Sequence, residues 1–202
     1  VSEQDEQQFD CLLKHSQVGT FGPDEIVLSE GEQDSWVFFL LRGQLDVYSG
    51  SDKTLPAINQ ITPGEVFGDL SMLTGGQRIA TIRACKHARQ TTVLGLDFRL
   101  FGALEDFSRL SLKTKLAYYR NTAHNLRWKL DVYRLEYPDS GLSAKHRSLK
   151  PFIGIRDSVE ELRALEHQAK SFAKWLGAWN QKLSTPMSAP KGPAVLAAQQ
   201  SA

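Results

Sequence analysis

Cysteine is nearly absent from this chain of 202 residues: Cys11 and Cys85 are its only two. They show no metal-ligand spacing and make no disulfide framework, which excludes a stapled secreted scaffold and points to a reducing, cytoplasmic setting. Long apolar runs are also missing. The longest, Trp36 to Leu41, is strand-sized and far short of the roughly 18 residues a membrane span needs, so no membrane contact is expected. The acidic opening residues lack a basic stretch followed by an apolar one, so no secretory leader is expected. Net charge is close to nil, with 24 Lys+Arg against 23 Asp+Glu, which removes any global pull toward nucleic acid or anionic lipid. The five histidines, at 15, 87, 124, 146 and 167, show no metal spacing and stand in no nucleophile motif. The chain therefore reads as a non-enzyme.

What is present is unevenly spread. Residues 1–108 carry 8 basic and 16 acidic side chains, a net of −8, while residues 109–202 carry 16 and 7, a net of +9. Such an asymmetry points either to two jobs or to attraction between the halves.

Residues 1–16 read as an amphipathic helix with Phe9, Leu12 and Leu13 on one face. From 17 to 97 the texture is that of short strands broken by Gly, Pro, Asp and Ser. Strands are predicted at Glu25 to Leu28, Trp36 to Arg42, Gln44 to Ser49, Ala57 to Ile61, Ile79 to Ala84 and Thr91 to Leu96. Short strands at this spacing argue an antiparallel β-roll or jelly-roll barrel, an α+β fold once the helices are added.

Helical periodicity follows over 98–137. Asp97 suits the cap of a short helix, and Ser108 or Ser111 that of a long one. Leu112, Leu116, Tyr119, Ala123, Leu126, Leu130, Tyr133 and Tyr137 form a continuous seam of heptad type, expected to pair with a second copy or to pack on the chain's own barrel. Residues 138–156 read as a polar, basic linker. A second helix over 157–183, capped by Asp157 or Ser158, carries Leu162, Leu165, Ala169, Phe172, Leu176, Trp179 and Leu183 on one stripe. That stripe must pack on the barrel, on a second copy or on another protein, and Leu165, Phe172, Leu176 and Trp179 would anchor a protein partner. Residues 184–202, rich in Ala, Pro, Ser and Gln, read as a disordered tail.

The segment richest in chemistry is Gly64 to Ile82. Gly68 permits close backbone approach, and Asp69 to Thr74 can form one or two helical turns whose free amides make an anion site. Arg78 enters an otherwise apolar strand beside Ile79, Ala80 and Ile82. An arginine there needs an anionic partner, either a carboxylate such as Asp69 or a ligand phosphate.

Phe67, Gly68, Asp69, Leu70, Ser71 and Met72, followed by Arg78, Ile79, Ala80, Thr81 and Ile82, resemble the phosphate-binding cassette of cyclic nucleotide-binding domains. Glu30-Gly31-Glu32, the run from Trp36 to Leu41, Gly43 and Gly64-Glu65 fall where that family has its β-roll glycines and core strands. The resemblance covers about residues 12–137. It implies a cyclic nucleotide ligand, with Arg78 on the exocyclic phosphate oxygens and cassette amides completing the cradle. Asp69 stands where the family has a glutamate for the ribose 2′-hydroxyl, one methylene shorter. Ile79 has no hydroxyl for a guanine amino group, which favours cyclic AMP over cyclic GMP.

By alignment with the catabolite activator protein group, Tyr119 and Arg120 fall where base contacts are made, though Tyr119 equally suits seam packing. In that group the long helix also forms a homodimer, here through Leu112, Leu116, Tyr119, Ala123, Leu126, Leu130 and Tyr133. DNA binding is not expected, because residues 157–183 form one continuous stripe rather than a helix-turn-helix. The expected function is a cyclic nucleotide receptor whose C-terminal helices move to control a partner. The rivals are a β-roll adaptor that binds no nucleotide and a transcription regulator.

Overall fold

The computed structural model describes residues 2–49, 56–145 and 152–184. Helix α1 (Glu3–Lys14) is closed by a Ser2 capping box. Eight strands follow: β1 (Ser16–Phe21), β2 (Ile26–Leu28), β3 (Trp36–Arg42), β4 (Leu45–Tyr48), β5 (Asn59–Ile61), β6 (Val66–Phe67), β7 (Thr81–Ala84) and β8 (Thr91–Asp97). Helix α2 (Asp69–Thr74) lies between β6 and β7. Strands β1-β8-β3-β6 form one sheet and β2-β7-β4-β5 the other, with every pairing antiparallel. The fold is the expected antiparallel β-roll followed by long helices, of class α+β.

The two sheets close over Leu28, Leu40, Leu45, Val47, Ile61, Phe67, Ala80, Ile82, Ala84 and Val93. These are largely the inward positions of alternating strands, as the pleat requires. Strands β1 and β6 were not anticipated. The sequence of β1 is Ser-Gln-Val-Gly-Thr-Phe, which has little apolar alternation and is held by six-residue pairing with β8. Strand β6 has two residues, too few for any periodicity.

After a 3-10 turn (Phe98–Phe101) whose cap is Asp97, helix α3 runs over Leu112–Glu136 with Ser111 as its cap. Its first turn is pinned by Lys115, which is 1% exposed. The ammonium donates to the carbonyls of Ala103 (2.6 Å), Leu104 (3.2 Å) and Asp106 (2.7 Å). Part of the expected linker forms a short helix, α4 (Gly141–Lys145). Helix α5 (Val159–Ser184) begins beyond Ser158, whose hydroxyl accepts from the Glu161 amide at 3.1 Å. The expected tail, from 185 on, lies outside the described residues. Among the described residues no helix is long and apolar enough to cross a membrane.

The seam of α3 packs mainly on α5 and also meets Leu70 and Leu73 of α2. Leu116, Tyr119, Ala123, Leu126, Leu130 and Tyr133 share one buried cluster with Leu162, Ala169, Phe172, Ala173, Leu176 and Trp179 of α5, with Leu112 and Leu165 packed against it. The two stripes from which a homodimer and a protein partner were expected thus pack on each other within the chain. Both stripes belong to one chain and are joined by residues 137–158, so their mutual concentration far exceeds that of any separate molecule. Trp179, 2% exposed, lies against the rings of Tyr133 and Tyr137 at 5.6 and 5.7 Å. Ion pairs Lys113–Asp5, Lys129–Glu65 and Arg163–Glu105 each join the basic half to the acidic half. The charge asymmetry is therefore spent at least in part on internal attraction.

Candidate nucleotide site

Where β6 ends, the chain turns through Gly68 at φ 78° into α2. A Cβ at Gly68 would stand 2.8 Å from Nη1 of Arg78, so both the left-handed backbone and the close approach require glycine. Arg78, 3% exposed, runs beneath this turn. Its Nε donates to Oδ2 of Asp34 at 3.0 Å, Nη1 to Oγ of Ser71 at 3.1 Å and Nη2 to the Trp36 carbonyl at 2.6 Å. Further bonds run to the Gly68 carbonyl and to Oδ1 of Asp34. All five N–H groups of the guanidinium are engaged. The carboxylate that neutralises Arg78 is therefore Asp34, and Asp69 acts on it only through space. Asp34 is held in turn by the Trp36 amide at 2.7 Å.

Asp69 is 5% exposed. Burial pushes its carboxyl up to about 6, against the opposing pull of Lys129, its own amide, Arg78 and the Leu70 amide. Glu65 stands at the other side of Lys129, 3.2 Å from Nζ. Burial alone would raise the Glu65 carboxyl, but the Thr62 amide, Lys129 and the Thr62 hydroxyl together hold it below its usual range.

These groups surround a cavity of about 70 Å³, room for roughly five water molecules. Its β-roll wall includes Phe67, Gly68, Asp69, Leu70, Ser71, Arg78, Ile79 and Ala80, together with Asn59. Its helical wall is Leu126, Lys129 and Tyr133 of α3 with Leu176 and Asn180 of α5. The start of a helix, an arginine and a buried carboxylate thus converge on one space, an arrangement suited to an anion that also carries hydroxyl groups.

Residues 18–104 match the family model of the cyclic nucleotide-binding domain. The chain carries a cyclic nucleotide-binding domain. Among curated relatives, the neuropathy target esterase sws of Drosophila persimilis is 35% identical over 98 residues, 44% of this chain and 7% of that protein. The cGMP-dependent protein kinase of Plasmodium berghei is 31% identical over 74 residues, 37% of this chain and 8% of the kinase. The chain thus spans less than a tenth of either. Among solved structures, the regulatory domain of Toxoplasma gondii PKA with cAMP is similar at a TM-score of 0.40 and 16% identity, over 46% of this chain and 36% of that one.

The cyclic nucleotide-binding domain brings the eight expected cassette residues together, but not Tyr119 and Arg120. Tyr119 is buried in the α3–α5 cluster. Arg120 reaches the start of α5, with Nε at 2.9 Å from Glu161 and Nη2 at 2.9 Å from Asp157. Tyr119, Leu126 and Tyr133 share one face of α3 at seven-residue spacing, so it is position along the axis that differs: the cavity meets the later turns, at Leu126, Lys129 and Tyr133. Sequence reasoning missed Asp34, Lys129 and Asn180 as site residues. Asp34 lies 44 positions from Arg78 and carries no spacing signal. Lys129 and Asn180 are polar residues flanking apolar stripes, a weak hint of a polar face turned inward.

Proposed function

We propose that this chain is a cyclic nucleotide receptor that prefers cyclic AMP to cyclic GMP and repositions α3 and α5 on binding to control a partner. The observation that carries this is the convergence of the cassette, Arg78 and Asp69 on one cavity whose remaining wall is helical. The exocyclic phosphate oxygens would accept from amides at the start of α2, with the charge of Arg78 behind them. Asp69, ionised above about pH 6, would accept from the ribose 2′-hydroxyl. Ile79, whose side chain lines the cavity, offers no hydroxyl to a guanine amino group. Tyr133 and Asn180 take the place beside the base first expected for Tyr119 and Arg120.

Leu176 and Asn180 of α5 form part of the wall of the cavity that the nucleotide would occupy, so its entry would press on α5. Withdrawal of α5 uncovers Leu165, Phe172, Leu176 and Trp179 for a partner and the α3 seam for a second copy. The ligand drives this only by its difference in affinity between the closed and open arrangements. Calorimetric titration with cyclic AMP and cyclic GMP tests the reading. Heat with either supports a receptor, and tighter cyclic AMP supports the stated preference. Absence of heat and of any thermal shift with both leaves the β-roll as an adaptor that binds no nucleotide.

A further inference from the structure

A sheet edge is an open row of amides and carbonyls, and folded proteins blunt it with shortness, charge, proline or a bulge. Among the described residues the two sheets end in β1, β6, β2 and β5. Three of these edges are blunted by length, since β6 has two residues and β2 and β5 have three each. Strand β1 is different. It has six residues, Ser-Gln-Val-Gly-Thr-Phe, with no charge and no proline, and its register with β8 runs without a shift. Among the described residues it pairs with β8 alone. The Asp97 amide donates to the His15 carbonyl at 3.0 Å, and in an antiparallel ladder such bonded positions alternate. Gln17, Gly19 and Phe21 therefore bond β8, while the amides and carbonyls of Ser16, Val18 and Thr20 point to the open side. Val18 is 65% exposed, and helix α1, which contacts β1, leaves Phe9 and Leu13 60% and 45% exposed.

We propose that β1 is a homodimer interface, pairing antiparallel with β1 of a second copy about a two-fold axis at Val18 and joining two β-rolls through one continuous sheet. The charges at the ends of the strand select this occupant. Lys14 precedes β1, Asp24 and Glu25 follow it, and all three are exposed. Antiparallel pairing of two copies brings the basic end of each to the acidic end of the other, so the edge is complementary to itself. A parallel arrangement would set like ends together. At the axis Val18 meets its own counterpart and Ser16 lies opposite Thr20, so every open amide and carbonyl of the three finds a bond. Helix α3 offers no equivalent place in this arrangement, because α5 covers its seam.

Sedimentation equilibrium of the whole chain without nucleotide is the first test. Twice the mass of one chain is expected, and a single-chain mass at every concentration overturns the proposal. Val18→Lys, which sets two ammonium groups against each other at the axis, should return the chain to monomer with its thermal unfolding little changed. A Val18→Lys chain that stays dimeric means that copies meet elsewhere and overturns the proposal. Lys14→Glu should weaken the dimer by roughly tenfold, because the axis counts each exposed ion pair twice; an unchanged dissociation constant overturns the assigned pairing. Hydrogen exchange of the unaltered chain serves if Val18→Lys fails to fold. The amides of Val18 and Thr20 should gain protection as concentration rises, while those of Gly19 and Phe21 are protected throughout by β8. Rapid exchange at Val18 and Thr20 where the chain is dimeric overturns the proposal.

Discussion

The two walls of the cavity are built on different terms. The β-roll wall is saturated: a positive-φ glycine, an arginine with every donor used and a carboxylate locked by a backbone amide leave it one geometry. The helical wall is held by side-chain packing between α3 and α5 and by ion pairs such as Lys129–Glu65 and Arg120–Glu161, which have neighbouring alternatives. A binding site benefits from that division, because a rigid half defines the ligand while the other half responds to it.

The division breaks most severely at Arg78. Arg78→Glu sets a second carboxylate against Asp34 in a buried space, and since breaking such a pair alone costs about 3–5 kcal/mol, charge reversal should exceed about 5 kcal/mol. Urea denaturation should show the β-roll unfolded or nearly so, and nucleotide binding lost with it. Trp179→Ala, at a side chain 2% exposed, should cost about 3–5 kcal/mol, confined to the helical wall. Amide hydrogen exchange should then show α5 losing protection while β3 and β8 keep theirs. Equal loss in both would mean that the walls unfold as one unit.

Asp69 sharpens the comparison through pH. Its folded carboxyl is raised from 3.8 to about 6, so the folded state holds the proton more tightly than the unfolded one. Stability from this group is present below the unfolded value and lost as pH rises through about 6. Asp69→Asn should therefore gain on the unaltered chain between about pH 3.5 and pH 7.5, by up to about 3 kcal/mol, as read by denaturation at both. A gap that closes toward high pH would contradict the burial argument. Arg120→Ala should have the smallest effect, at most about 1 kcal/mol, with nucleotide affinity unchanged because Arg120 faces the start of α5.

The cassette was legible because its constraints are local. Gly68, the short helix behind it and Arg78 lie within a dozen residues, and each restricts backbone or charge in a way that a sequence displays. The long helices were legible in extent for the same reason, since Leu112 to Tyr137 and Leu162 to Leu183 recur at helical period. Their partners were not. An apolar stripe states that something covers it and is silent on what, so two complementary stripes on one chain read as two separate interfaces. Asp34 and Lys129 escaped because their roles arise only when distant segments meet, and single charged residues in polar surroundings have no periodicity to give them away.

Lys115 fastens the loop of residues 103–106 to the first turn of α3 through three carbonyls. Lys129 stands fourteen residues further along the same helix, about 21 Å away at the usual helical rise. A rod fixed near one end turns small angles into useful travel: a tilt of about 5° moves the far position by roughly 2 Å, comparable with the difference between a hydrogen bond made and one broken. If α3 moves as proposed, the pin that reinforces the loop would also be the fulcrum against which a push from the cavity is amplified.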